Sequence, residues 1–143
     1  MVGRLVRITV DTNVLIRAIV ADDEGEAIEA RSALRQATLI ALPTPMLCEL
    51  VWVLRRGYKL SPAEVATTVR TLVDAAETVA NRDAVEAGLA LLEAGGDFAD
   101  GAIAAEGRAL GGDIFTTFDR KAARLLEDAG EAPTLLSATN ALR

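Results

Sequence analysis

Four carboxylates stand where short backbone turns could gather them: Asp11, Glu49, Asp100 and Asp119. Asp11 ends an apolar run in Val10-Asp11-Thr12-Asn13, and Asp119 follows another in Thr116-Thr117-Phe118-Asp119. Asp100 lies three residues after Asp97 in Gly95-Gly96-Asp97-Phe98-Ala99-Asp100, a stretch that reads as a helix start. Ordinary structural duties compete for these acids, because Asp, Asn and Thr cap helices and an acid in the first turn complements the helix dipole. Asp97 reads best as such a cap, with a supporting place near the site. Asp100 sits inside the first turn, where no cap is needed, and is assigned to the site. Glu49 has a different context. Its neighbours three and four positions away are Pro45, Met46, Trp52 and Val53, all apolar. A carboxylate on such a stripe is expected to be partly desolvated and to need a partner.

Two absences narrow the chemistry. The chain has no histidine and a single cysteine, Cys48. That removes the usual base near neutral pH, the Ser-His and Cys-His nucleophile pairs, thiolate zinc sites and internal disulfides. What remains is carboxylates, hydroxyls, amides and arginines. Carboxylate oxygens are hard ligands that select magnesium, manganese or calcium.

The elements that must position these acids alternate. Leu5–Val10 reads as a strand and Thr12–Val20 as a helix. A second helix opens in the acidic stretch Asp22–Glu26 and runs to about Ala37. A strand over Thr38–Leu42 leads to a helix opened by Pro43 and Pro45 and closed by Gly57. Ser61-Pro62-Ala63-Glu64 is a capping box for a further helix. Beyond it, strands over Glu77–Ala80, Ile114–Thr117 and Thr134–Leu136 alternate with helices over Asp83–Glu93, Phe98–Leu110 and Arg120–Asp128. This alternation predicts an α/β fold with a parallel sheet, whose sites form at the carboxyl edge. The 143 residues are expected to make one domain, residues 1–143. No apolar run is long enough to span a bilayer, and the N-terminus lacks the pattern of a signal peptide, so a cytoplasmic protein is expected.

The ordered series V-D-T-N at Val10–Asn13, a mid-helix Glu49, D-F-A-D-G-A-I-A-A at Asp97–Ala105 and T-F-D at Thr117–Asp119 resembles a PIN domain. It resembles more closely the VapC-type toxins of type II toxin–antitoxin pairs, and the likeness runs over nearly the whole chain. The resemblance implies a three-layer α/β/α fold with a parallel sheet of about five short strands. It implies a Mg²⁺- or Mn²⁺-dependent endoribonuclease that cuts a structured RNA, transfer or ribosomal, by metal-activated water. Asp11, Glu49, Asp100 and Asp119 would be the catalytic and metal-binding acids, with Asn13 and Thr117 supporting them by hydrogen bonds. A homodimer and a small antitoxin protein covering the site are implied as well. One departure is Gly101, where the family more often has alanine; it is expected to loosen the first helical turn slightly.

The net charge of -6 runs against a nucleic-acid partner, but its distribution is uneven. Residues 1–60 carry eight Lys/Arg and seven Asp/Glu, whereas residues 61–143 carry seven and fourteen. Backbone contacts to RNA would therefore draw on Arg17, Arg55, Arg56 and Lys59, unless these are solvated helix-end cations. With aromatics at 3%, base stacking is expected to be limited and RNA to be read by shape and backbone. Three other readings remain: an RNA-processing nuclease without a toxin role, a binding module without activity, and an aspartate-based phosphotransferase or phosphatase. The last typically needs a second acid where Asn13 stands and a partner lysine, and Lys59 and Lys121 are the only lysines.

Overall fold

The computed structural model describes residues 3–20 and 22–137. Over these the chain forms seven helices and five short strands, grouped into two compact units that divide after Asn81.

The first unit contains β1 (Arg7–Thr9), α1 (Thr12–Val20), α2 (Glu24–Gln36), β2 (Leu39–Leu42), α3 (Thr44–Arg56), α4 (Pro62–Asp74) and β3 (Thr78–Ala80). Its strands are parallel in the order β1-β2-β3, with Ile8 opposite Ile40 and Ile40 opposite Thr78. Two helices fill each crossover, as parallel strands require. The helix starts follow local chemistry. The Asp23 carboxylate accepts from the Glu26 N–H at 2.9 Å and so caps α2. At α4 the Ser61 hydroxyl accepts from the Glu64 N–H at 3.1 Å and donates to Glu64 Oε1 at 3.1 Å. The capping box forms, with the glutamate returning to the hydroxyl. Leu15, Leu47, Leu50, Leu54, Val65 and Val69 are fully buried and make the core.

Gly57 does end α3, but not by a left-handed turn: its φ is -80°. A Cβ there would lie 2.8 Å from the Val53 carbonyl oxygen, so close approach explains the glycine. Lys59 takes the left-handed conformation instead, with φ 59°.

The second unit contains α5 (Arg82–Glu93), α6 (Phe98–Ala109), β4 (Thr116–Thr117), α7 (Arg120–Asp128) and β5 (Thr134–Leu135). Leu91, Ala104, Leu125 and Leu126 form a buried cluster with Phe115 packed against it. The β4 and β5 strands pair in parallel, Thr116 opposite Thr134. The α/β class and parallel pairing are as expected, and so is the number of strands. Their grouping differs: three strands make one ladder and two make another. Residues β4 and β5 are only two residues long, and Pro133, which has no N–H to give a ladder, stands directly before β5.

The helices α5 and α6 cross on glycine. A Cβ on Gly101 would lie 2.3 Å from the Ala87 carbonyl oxygen and 2.9 Å from Gly88 Cα. A Cβ on Gly88 would lie 2.6 Å from the Phe98 ring. The departure at position 101 therefore has a packing cause: backbone meets backbone there, and alanine has no room. Gly101→Ala is expected to destabilise the protein by about 1–3 kcal/mol through overpacking. Gly25→Ala, whose Cβ meets only Asp23 Oδ1 at 3.6 Å, should be neutral or stabilising by about 0.4–1 kcal/mol. Urea unfolding of both variants checks the contrast.

Candidate carboxylate site

The β1 strand runs into α1 through Val10 and Asp11. The Asp11 carbonyl accepts from the Val14 N–H at 3.1 Å, and Asp11 Oδ1 accepts from the Asn13 N–H at a long 3.4 Å. Asp11 is exposed. Asn13, also exposed, thus supports Asp11 through its backbone. Thr12 between them is 3% exposed, and its hydroxyl has no hydrogen-bond partner among the described residues. In the sequence Thr12 stands out only as one of three good capping residues. Its burial could not be read there, because a threonine at a helix start is most often solvated.

Glu49 lies in the middle of α3, which packs against α1. The expected desolvation does not occur. Glu49 is exposed together with Pro45 and Trp52, while Met46, Leu47, Leu50, Val51 and Leu54 form the buried side. Apolar residue type was a poor guide here because α3 leaves two of those neighbours in water.

In the second unit the structure brings three aspartates under one another's influence. Burial comes first among the causes that hold the Asp100 carboxyl above its ordinary value, followed by the charges of Asp97 and then Asp119. Asp97 occupies the N-cap position of α6, but its side chain makes no capping hydrogen bond. The reading of Asp97 as a working cap is corrected accordingly. Its carboxylate adds negative charge beside Asp100 instead. Asp119 does cap: its Oδ1 accepts from the Ala122 N–H at 3.0 Å, leaving Oδ2 outside the cap. Thr117 Oγ1 accepts from the Asp119 N–H at 2.9 Å and sets the backbone of that corner.

The candidate RNA-contact cations divide. Arg17 pairs with Glu26 and, at 3.6 Å, with Asp22, so its charge is balanced locally. Tyr58 donates to the same Asp22 at 3.0 Å. Arg55 donates to the Leu60 carbonyl at 2.9 Å and holds the turn after α3. Arg56 and Lys59 are exposed.

The sequence pattern of the PIN domain matches residues 8–127, most of the chain, and the parallel α/β architecture agrees with it. The chain belongs to the PIN domain family, whose fold is that of a metal-dependent nuclease acting on nucleic acid. No curated protein matches it. Among the described residues, no group of three or more Asp, Glu, His or Cys side chains is drawn up closely enough to hold a metal ion. The donor chemistry nevertheless fits a hard divalent cation. A carboxylate such as Asp100, whose affinity for a proton is raised by burial and by the acids beside it, also gains from a positive charge. No helix among the described residues is long and apolar enough to cross a membrane.

The raised Asp100 value sets a sign. The folded chain binds that proton more tightly than the unfolded chain, so ionised Asp100 costs stability. The cost is absent below the ordinary aspartate range, grows as pH rises through the window up to the raised value, and is full above it. Asp100→Asn is expected to raise the melting temperature of metal-free protein at neutral pH, and thermal melts should show the gain vanishing in acid. At α7, Asp119→Ala should cost about 1 kcal/mol through loss of the cap, whereas Asp119→Asn keeps it. Melting both variants separates capping from charge.

Proposed function

We propose that this protein is a Mg²⁺- or Mn²⁺-dependent endoribonuclease, the toxin of a toxin–antitoxin pair, and that it cuts a structured RNA. Residues 1–143 would act as one nuclease domain, since the family match runs through both units. The observation that carries the reading is the PIN-domain match over residues 8–127, together with the acids Asp97, Asp100 and Asp119 at the starts of α6 and α7. A structural acid in a helix start has no need of such neighbours. Oxygen-only chemistry and the absence of histidine support the same reading.

In this reading Asp11, Glu49, Asp100 and Asp119 hold the cation. Bound there, a divalent ion supplies neutralising charge and a more acidic water for phosphodiester hydrolysis. Asp100 would hold the ion with the other three acids and would orient the attacking water, taking its proton at a carboxylate oxygen. Asp119 keeps Oδ2 for the site while Oδ1 caps α7, and Thr117 fixes the corner from which it projects. Asn13 braces Asp11. Products would carry 5′-phosphate and 3′-hydroxyl ends. A small antitoxin and a second copy of the chain are the proposed protein partners, with action in the cytoplasm. Exposed apolar side chains at Ile114, Phe118 and Leu135 around β4 and β5 give such partners something to cover.

Expression in cells should arrest growth and produce one dominant RNA cut. Asp11→Asn should reduce cleavage by about 100-fold or more, and chelation of divalent ions should abolish it. Mapping the cut ends of RNA treated with purified protein decides the chemistry: cyclic-phosphate ends would overturn the metal-water route. Trapping an acid-labile aspartyl phosphate would point to phosphotransfer instead. Cleavage without growth arrest would leave an RNA-processing role.

A further inference from the structure

The solvent side of α3 carries more than Glu49. Trp52 and Arg56 follow it at three and seven positions, which places all three on one stripe of the helix. All three are exposed. Trp52 is the chain's only tryptophan and stays 63% exposed. An indole in water forgoes the large burial that an aromatic ring otherwise contributes. Arg56 next to it, one turn on, belongs to the basic end of the helix. Arg55 is engaged by the Leu60 carbonyl and Arg17 by Glu26. The Arg56 side chain is exposed.

We propose that Trp52 is a base-stacking platform and Arg56 a phosphate contact for single-stranded RNA, both placed on α3 beside Glu49. The inference rests on the nuclease reading and assigns that site its substrate contacts. Along the helix axis Trp52 lies about 4.5 Å and Arg56 about 10.5 Å from Glu49. At about 3.4 Å per stacked nucleotide, that span matches roughly three nucleotides. A ring face that accepts any base beside a cation that accepts the backbone is the usual make-up of a single-strand binding surface. Charge complementarity favours RNA over an acidic or neutral surface. From Thr44 to Leu60 the chain carries one acid, Glu49, against Arg55, Arg56 and Lys59. One exposed indole is enough to stack one base, so the low aromatic content does not rule out reading at a single position.

Because the indole is unique, its fluorescence reports the contact directly. The full chain, with EDTA present to prevent cleavage, is titrated with a single-stranded oligoribonucleotide and with the same oligomer made abasic. The intact oligomer should quench Trp52 and the abasic one should not. Trp52→Ala should weaken binding about 5- to 150-fold, and Trp52→Phe should restore part of it. Arg56→Ala should lower the slope of binding against salt by about one while leaving the quench in place. Cleavage with unchanged affinity in Trp52→Ala and no quench in the parent protein would overturn the stacking role and leave the nuclease reading intact. Quenching without cleavage under any divalent ion would do the reverse. A shift from dimer to monomer in Trp52→Ala, with RNA affinity unchanged, would overturn the proposal in favour of an interface between two copies.

Discussion

A partly buried carboxylate, Asp100, held beside two further acids is the constraint that the second unit has to meet. Asp97, Asp100 and Asp119 all sit at the starts of helices, the first two at α6 and the third at α7. Positive helix ends there offset part of the repulsion. The offset is incomplete, since burial first, and the charges of Asp97 and Asp119 after it, hold the Asp100 carboxyl above its ordinary value. Like-charged groups held together at a cost in stability are characteristic of sites adapted to a ligand of opposite charge. The glycine crossing of α5 and α6 serves the same end. With Gly101 against the backbone at Ala87 and Gly88, the first turn of α6, which carries Asp100, is fixed against α5.

Much of the architecture was legible because it is written in local chemistry. Helix α1 begins at Thr12 and α7 at Arg120 as expected, each after an aspartate. Gly95 and Gly111 take positive φ where the helices were expected to stop. What escaped were features decided by three-dimensional packing. Glu49 looked buried because its neighbours are apolar in type, yet Pro45 and Trp52 face water with it. Residue type cannot say which side of a thirteen-residue helix meets the core when apolar residues lie on both. The two-residue lengths of β4 and β5 likewise depend on hydrogen-bond partners that lie far away in sequence.

The candidate site was legible to a different degree. Asp11, Asp100 and Asp119 stand at the helix starts where alternation of strands and helices placed them. Their individual duties were not legible: Asp119 caps its helix and Asp97 does not. A cap depends on a side-chain rotamer, and a rotamer depends on neighbours. The buried hydroxyl of Thr12 was hidden for the same reason.

In the function proposed above, Glu49 and Asp100 would serve one cation together with Asp11 and Asp119. Mn²⁺ binding followed by electron paramagnetic resonance tests it through a double-mutant cycle. Glu49→Gln and Asp100→Asn should each weaken Mn²⁺ binding, and the double variant should lose less than the two losses combined. Undiminished binding in either single variant, or losses that simply add, would contradict it.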